Sequence, residues 1–250
     1  MAAERSHEPA TAATHSQPRH DLHVHANHDV WTWAVAVAVA AELRRELTTQ
    51  SRVRLLLSGG ITPAPVYRAL SKAPLDWDRV NVGLVDERWL QPQDLDSNAH
   101  LVRTNLLQHQ AAAAHFEPMT RAGRSIEEVI AGANAFAKVQ ACVAVLGMGE
   151  DGHIASLFPG MGDLERVLAS RNDYVAVDAT GCPGARQWPR RISLTPRGMA
   201  RIPARLLLIQ GARKRDVLMQ ALADGNPARW PVLTALDSIH GTPLQVHWCA

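Results

Sequence analysis

The sequence predicts an α/β fold, a doubly wound, mostly parallel sheet with helices on both faces, and three observations carry that expectation. Short runs rich in Leu, Val and Ile alternate along the chain with amphipathic stretches of helical period. Four of those runs end in a polar or glycine-bearing turn, as the strand-to-helix junctions of a parallel sheet do. The 250 residues are 46% hydrophobic and 20% charged, enough apolar surface for a substantial α/β core.

Taken in order, residues 1–20 are rich in Ala, His, Thr and Pro and are expected to form a loose polar extension, with residues 21–250 as a single domain. Asp29 to Leu47 is expected to be a helix, although its central Ala-Val alternation is apolar at every position and sets no period. Arg52–Leu57 reads as a strand leading through Ser58-Gly59-Gly60 to a helix from Pro63. The strand ending at Val85 leads to Asp86-Glu87-Arg88, a long loop and a helix from Ser97 to about Gln108. Ser125 and Glu128 have the spacing of a capping box for a helix through Lys138. Strands follow at Ala141–Leu146, Tyr174–Thr180, Arg191–Thr195 and Arg205–Gln210, the last leading to a helix from about Arg213 to Ala223.

Composition narrows the function classes. A net charge of +2 and 5% aromatic residues argue against a nucleic-acid or membrane-surface protein. The longest apolar run, Trp31 to Ala41, is too short to cross a bilayer, and the first twenty residues lack the apolar core of a signal peptide. Cys142, Cys182 and Cys249 form no C-x-x-C pair and read as reduced thiols, so a cytoplasmic location is expected. Nothing in the sequence sets the oligomeric state; a monomer is compatible with it.

Ligands of an open parallel sheet sit beyond the carboxyl ends of its strands. Four strands here end in Ser58–Gly60, Asp86–Arg88, Gly147–His153 and Gly211–Lys214, so their turns are expected to face one crevice. The turn Ser58-Gly59-Gly60-Ile61-Thr62 can cradle a phosphate with backbone N–H groups, or be an ordinary tight loop. Lys214 is one of only three lysines in an arginine-rich chain and stands at a helix start, where a compact charge could anchor a phosphate; a solvated lysine is the plainer alternative. Asp86, Glu87 and Arg88 could be a surface ion cluster, but their place at a strand end favours a functional role.

Gly147, Gly149 and Gly152 match a dinucleotide fingerprint, with Asp178 where a ribose-binding acid might stand. The match fails on its helix, which Pro159 and Gly160 cut to about two turns. The better reading is a sharp loop that aims His153 into the crevice as a general base, with Asp151 either orienting the ring or bracing the loop. Ser156, three residues on, is expected to cap or pack, with water rather than a side chain as nucleophile; no G-x-S-x-G elbow occurs. His23 and His25 form an H-x-H pair without a clear complementary ligand set, so no metal is expected.

The segments 55–70, 85–107, 146–160 and 191–218, with their motifs SGGITP, DERW, GEDGHIASLFPG and QGARK, resemble successive blocks of the 6-phosphogluconolactonase family over most of the chain from about residue 30. The wider superfamily includes glucosamine-6-phosphate deaminase. Ser156-Leu157-Phe158-Pro159 and the Glu87-Arg88 continuation, with Asp96-Ser97-Asn98 downstream, favour the lactonase. The resemblance implies a fold like that of the deaminase and ribose-phosphate isomerase group, no cofactor, and a sugar-phosphate substrate. The implied reaction is hydrolysis of 6-phospho-D-glucono-1,5-lactone in the oxidative pentose phosphate pathway. His153 is the implied water-activating residue, and Ser58, Gly59, Gly60 and Lys214 are the implied phosphate contacts, with Thr62 expected to join them at the end of the same turn. Asp86, Arg88 and either Arg190 or Arg191 are further expected substrate contacts. Ile61 stands where the family usually has a small hydroxyl residue, which removes one phosphate donor. A deaminase-like isomerase and a non-catalytic sugar-phosphate-binding protein are the alternatives.

Overall fold

The structure, a computed structural model, describes residues 19–250. The expected extension therefore lies outside the described residues up to residue 18, and the chain is already in a strand at His20. The strands are β1 (His20–His25), β2 (Val53–Leu57), β3 (Val80–Leu84), β4 (Asp86–Arg88), β5 (His115–Phe116), β6 (Val143–Gly147), β7 (Tyr174–Asp178), β8 (Arg190–Leu194), β9 (Ala204–Gln210) and β10 (Leu244–Cys249). The helices are α1 (His28–Leu47), α2 (Ala64–Leu70), α3 (Asn98–Asn105), α4 (Ile126–Phe136), α5 (Leu164–Leu168), α6 (Pro196–Ala200) and α7 (Gly211–Asp224). None is long and apolar enough to cross a membrane.

Seven strands pair in parallel in the order β1-β10-β9-β6-β2-β3-β5. The central strands are buried on both faces, as continuous apolar runs such as Leu55-Leu56-Leu57 require. Leu55, Leu57, Val143, Val145, Leu206 and Leu208 pack with α1, α2 and α3, while Leu56, Ala144, Leu146, Leu207 and Ile209 pack with α4 to α7. The Ala-Val run of α1 resolves into a helix capped by the Asn27 side chain, with Val35 and Val39 buried and Val37 exposed. Ser125 and Glu128 form the expected reciprocal capping box on α4.

The structure adds elements that periodicity did not reveal. Asp86–Arg88, expected as the start of a loop, is β4, which pairs antiparallel with β8 and through it with β7 in a separate three-stranded sheet. The link from β7 to β8 carries only a single 3-10 turn, too little for the crossover that parallel strands need. The short helix expected after His153 does not form. Isolated bridges of Ile154 to Met148 and to Leu157 hold that segment in tight turns, and Ala155 takes φ 51°.

At the other end of the sheet, β1 stacks the rings of His23 and His25 on His247, with centroids 4.7 and 5.3 Å away. His25 Nε2 lies 3.1 Å from His247 Nδ1, and Trp31 donates its indole N–H to the His247 carbonyl. Burial, helped by the two neighbouring imidazoles, lowers the His247 pKa to about 3. The unfolded chain would protonate this ring near 6.5, so the folded state's advantage is complete above that pH and is lost as the pH falls toward 3. Urea unfolding should accordingly show about 2 kcal/mol of stability lost between pH 7 and pH 5, and His247→Phe should flatten that slope by up to one proton. An unchanged slope would reject the buried neutral imidazole.

Candidate active site

β9, β6, β2 and β3 are adjacent and parallel in the sheet, so the four polar turns expected to converge leave one contiguous edge. At about 4.8 Å per strand the four ends span roughly 15 Å, the scale of a sugar phosphate and its contacts. Val145, Leu57 and Leu84 lie level across the sheet, which sets Ser58, Val85 and Leu146 at the same height.

Asp151 and His153 are held by one carboxylate oxygen. Asp151 Oδ1 accepts the backbone N–H of His153 at 3.1 Å and lies 2.6 Å from its Nδ1. A carboxylate only accepts, so Nδ1 carries the hydrogen and Nε2 presents a lone pair, without a hydrogen-bond partner among the described residues. Asp151 thus makes hydrogen bonds both to the ring and to the backbone of the loop. Burial alone would raise its pKa, but the hydrogen bonds it accepts from the His153 ring and backbone outweigh that and hold it below the usual carboxylate range. Two glycines make room for the pair. A Cβ on Gly149 would stand 2.1 Å from His153 Nδ1, and one on Gly184 would stand 2.5 Å from Asp151 Oδ2. Gly152, at φ 80°, packs so close to Trp230 that a Cβ would meet its ring at 2.7 Å.

Asp86 is the buried hub beside them. It accepts the Asn98 amide at 3.3 Å and the Ser156 hydroxyl at 2.6 Å, and faces Arg191 at 3.8 Å. Both its oxygens are therefore engaged by the protein itself. Ser193 Oγ accepts the Ser156 N–H at 3.1 Å, fastening the His153 loop to β8. The Arg191 guanidinium lies over the Phe158 ring, which in turn is 4.4 Å from the imidazole. Glu87, fully buried, accepts N–H groups of Arg88, Asn98 and Ala99, each at 2.8 Å, and so caps α3. Burial pushes its pKa up to about 7 despite those three donors. Arg88 donates from Nη1 to the Asp96 carbonyl, and its buried Nε has no partner.

At the end of β2, the Ser58 hydroxyl is buried without a hydrogen-bond partner and would be 3.6 Å from a Cβ on Gly147. Gly59 leaves space for Asn98, whose Oδ1 would stand 1.9 Å from an added Cβ. Gly60, at φ 95°, and Ile61, 89% exposed, turn outward, and Thr62 is half-buried. Lys214 stands in the first turn of α7, where burial lowers its pKa against the opposing pull of Glu150. Arg213 contacts Glu150 at 3.2 Å, docking α7 against the loop that carries His153.

The structure thus brings Ser58, Gly59, Asp86, Arg88, Asp151, His153, Arg191 and Lys214 to this edge and its flanks. Arg190 is set apart: it precedes Arg191 on β8, is exposed, and has Asp178 as its register partner. Sequence reasoning missed Gly184, Ser193 and Trp230, whose roles come from packing across the fold and leave no local motif. Among the described residues, no group of three or more His, Cys, Asp or Glu is arranged to hold a metal ion.

A family model described as glucosamine-6-phosphate isomerases/6-phosphogluconolactonase matches residues 26–248. A 6-phosphogluconolactonase of Xylella fastidiosa (strain 9a5c) is 50% identical over 226 residues, covering 89% of this chain and 94% of the relative. Another, from Rhizobium meliloti (strain 1021), is 36% identical over 233 residues, covering 91% and 98%. The crystal structure of a 6-phosphogluconolactonase from Shewanella baltica OS155 is similar with a TM-score of 0.85 and 29% identity, over 92% of this chain and 98% of that one. With its fold, its strand-end loops and these relatives in agreement, the chain belongs to the glucosamine-6-phosphate isomerase/6-phosphogluconolactonase family.

Proposed function

We propose that this chain is a cytoplasmic lactonase that hydrolyses 6-phospho-D-glucono-1,5-lactone to 6-phospho-D-gluconate in the oxidative pentose phosphate pathway, with His153 as general base. The observation that carries the reading is the Asp151–His153 pair at 2.6 Å, with Nε2 left free at the edge where Ser58 and Lys214 also stand. Relatives at 50% and 36% identity bear the lactonase name, which supports this member of the family over the isomerase. Buried Ser156 and Phe158, two of the residues that set the lactonase pattern apart, support the His153 loop from below.

In the proposed reaction the Ser58–Thr62 turn and Lys214 hold the phosphate. Water attacks the lactone carbonyl carbon while His153 Nε2 takes its proton, and Asp151 stabilises the imidazolium that forms. Arg88, whose Nε lacks a protein partner, is the donor proposed for the oxyanion. Collapse of the tetrahedral intermediate breaks the bond from the carbonyl carbon to the ring oxygen, which takes the proton back from His153. A lactone is already an activated ester. A positioned base supplies roughly 10²–10⁴-fold and an oxyanion donor about 10²–10³-fold, so these two effects suffice.

The test is hydrolysis of freshly generated lactone with the spontaneous rate subtracted. His153→Ala should lower kcat by roughly 10²–10⁴-fold while 6-phosphogluconate still binds; near-normal turnover would falsify the assigned base. Turnover of glucosamine 6-phosphate in place of the lactone would support the isomerase instead.

Asp151→Asn should also lower kcat by roughly 10²-fold or more with KM little changed. The amide can donate to Nδ1 and so force the hydrogen onto Nε2. A kcat equal to that of the parent enzyme would limit Asp151 to bracing the loop.

Lys214→Ala should raise KM about tenfold or more and erode the preference for the phosphorylated lactone over plain gluconolactone. Unchanged discrimination between the two substrates would remove Lys214 from the phosphate site.

A further inference from the structure

Away from the strand-end crevice, a cavity of about 210 Å³ lies between α4 and the β3–β5 edge of the sheet, and none of the proposed catalytic or phosphate-binding residues lines it. We propose that it is a second ligand site, shaped for a small organic acid: one carboxylate on a single ring or a short aliphatic chain.

Its floor holds a buried cation with an open donor. The Arg54 side chain is 6% exposed, and its Nε and Nη2 both lie 3.2 Å from the same oxygen, Glu117 Oε2. Nη1 makes no hydrogen bond among the described residues. A guanidinium can engage a carboxylate with two parallel bonds, and Glu117 meets it through one oxygen only. Arg121 adds a charge at the rim, whereas Arg124 is taken by Glu128 at 2.9 Å. Three arginines against two glutamates leave the lining at +1, which favours an anion.

The walls are apolar, from Met119, Val129, Ala133 and Phe136. A cavity of roughly 150 Å³ is enough to hold benzene, so the volume here admits one ring with an acid group.

Gly132 is the independent sign that the space is kept open. It lies within α4, where glycine weakens a helix, and it borders the cavity. A Cβ there would meet nothing within 4 Å, and its φ is not positive. Neither crowding nor backbone conformation demands glycine at this position. What it does is leave the helix wall bare where the cavity lies.

The experiment is calorimetric titration of the full chain with benzoate, phenylacetate and hexanoate, alongside benzyl alcohol and inorganic phosphate. At least one acid should bind saturably at one molecule per chain, and benzyl alcohol at least tenfold more weakly. Gly132→Leu should weaken acid binding at least tenfold while lactone turnover stays unchanged and Tm moves by no more than about 2 °C. His153→Ala should leave acid binding unchanged. Should Gly132→Leu fold poorly, Met119→Trp fills the same space from the opposite wall and must show the same loss. The proposal is overturned if no acid saturates below about 10 mM, if benzyl alcohol binds as tightly, or if a folded filling variant binds normally. Loss of binding in His153→Ala, or equal competition by inorganic phosphate, would locate the acid in the crevice instead and equally overturn it.

Discussion

The Asp86 carboxylate is buried, and a buried charge is tolerable only when neighbouring groups replace the water it has lost. Its replacements come from three distant places: the amide of Asn98, the hydroxyl of Ser156 and the guanidinium of Arg191. Satisfying one side chain therefore fixes the start of α3, the loop after β6 and the strand β8 relative to the end of β3. Glu87 tightens the first of these by accepting N–H groups of Asn98 and Ala99. The second and third meet at Phe158, whose ring lies between Arg191 and His153. The loop that carries the imidazole is thus placed by a carboxylate the ring does not touch, while Asp151 holds the ring itself.

Space is the complementary constraint. The Asp151–His153 bond needs both side chains folded back over their own loop, and that loop has no room for a side chain at Gly149. Gly184, on the link between β7 and β8, closes over the same carboxylate from the other side and is equally unable to bear a Cβ. Between the two, Ala155 accepts a left-handed φ of 51°, a strained state for a residue with a Cβ. The loop is thus held by hydrogen bonds and contacts that over-determine it, the kind of preorganisation the proposed base at His153 requires.

Much of this was legible in the sequence because it is written locally. The apolar runs, the glycine-bearing turns after β2, β6 and β9, and the Ser125 capping box depend on residues a few positions apart, where pattern reading is strongest. The convergence of four loops followed from parallel order alone, since every strand then ends at the same edge. The three-stranded sheet was not legible, because whether β8 runs parallel or antiparallel depends on a link with no period of its own. Nor were Gly184 and Trp230, which matter only through what lies against them in space. Arg190 and Arg191 were indistinguishable until the pleat placed one inward and one outward.

At this edge the protein does not satisfy all of its own polar groups. The Ser58 hydroxyl and the Arg88 Nε are buried without partners, and each such group costs roughly 1–3 kcal/mol. Nearby, the fold lavishes donors on Glu87 and Asp86, so the shortage is not for want of polar residues to supply them. Lys214, with its pKa lowered by burial, adds a cation that has lost part of its water. An anionic ligand that accepted from the hydroxyl and the ammonium would relieve both deficits at once, and binding energy of that kind is available before any chemistry begins. The Ser58 hydroxyl, the Arg88 Nε and the Lys214 ammonium are donors of the kind an anion engages, whereas Asn98 Oδ1, buried without a partner beside Gly59, is an acceptor and suits a ligand that also carries a hydroxyl.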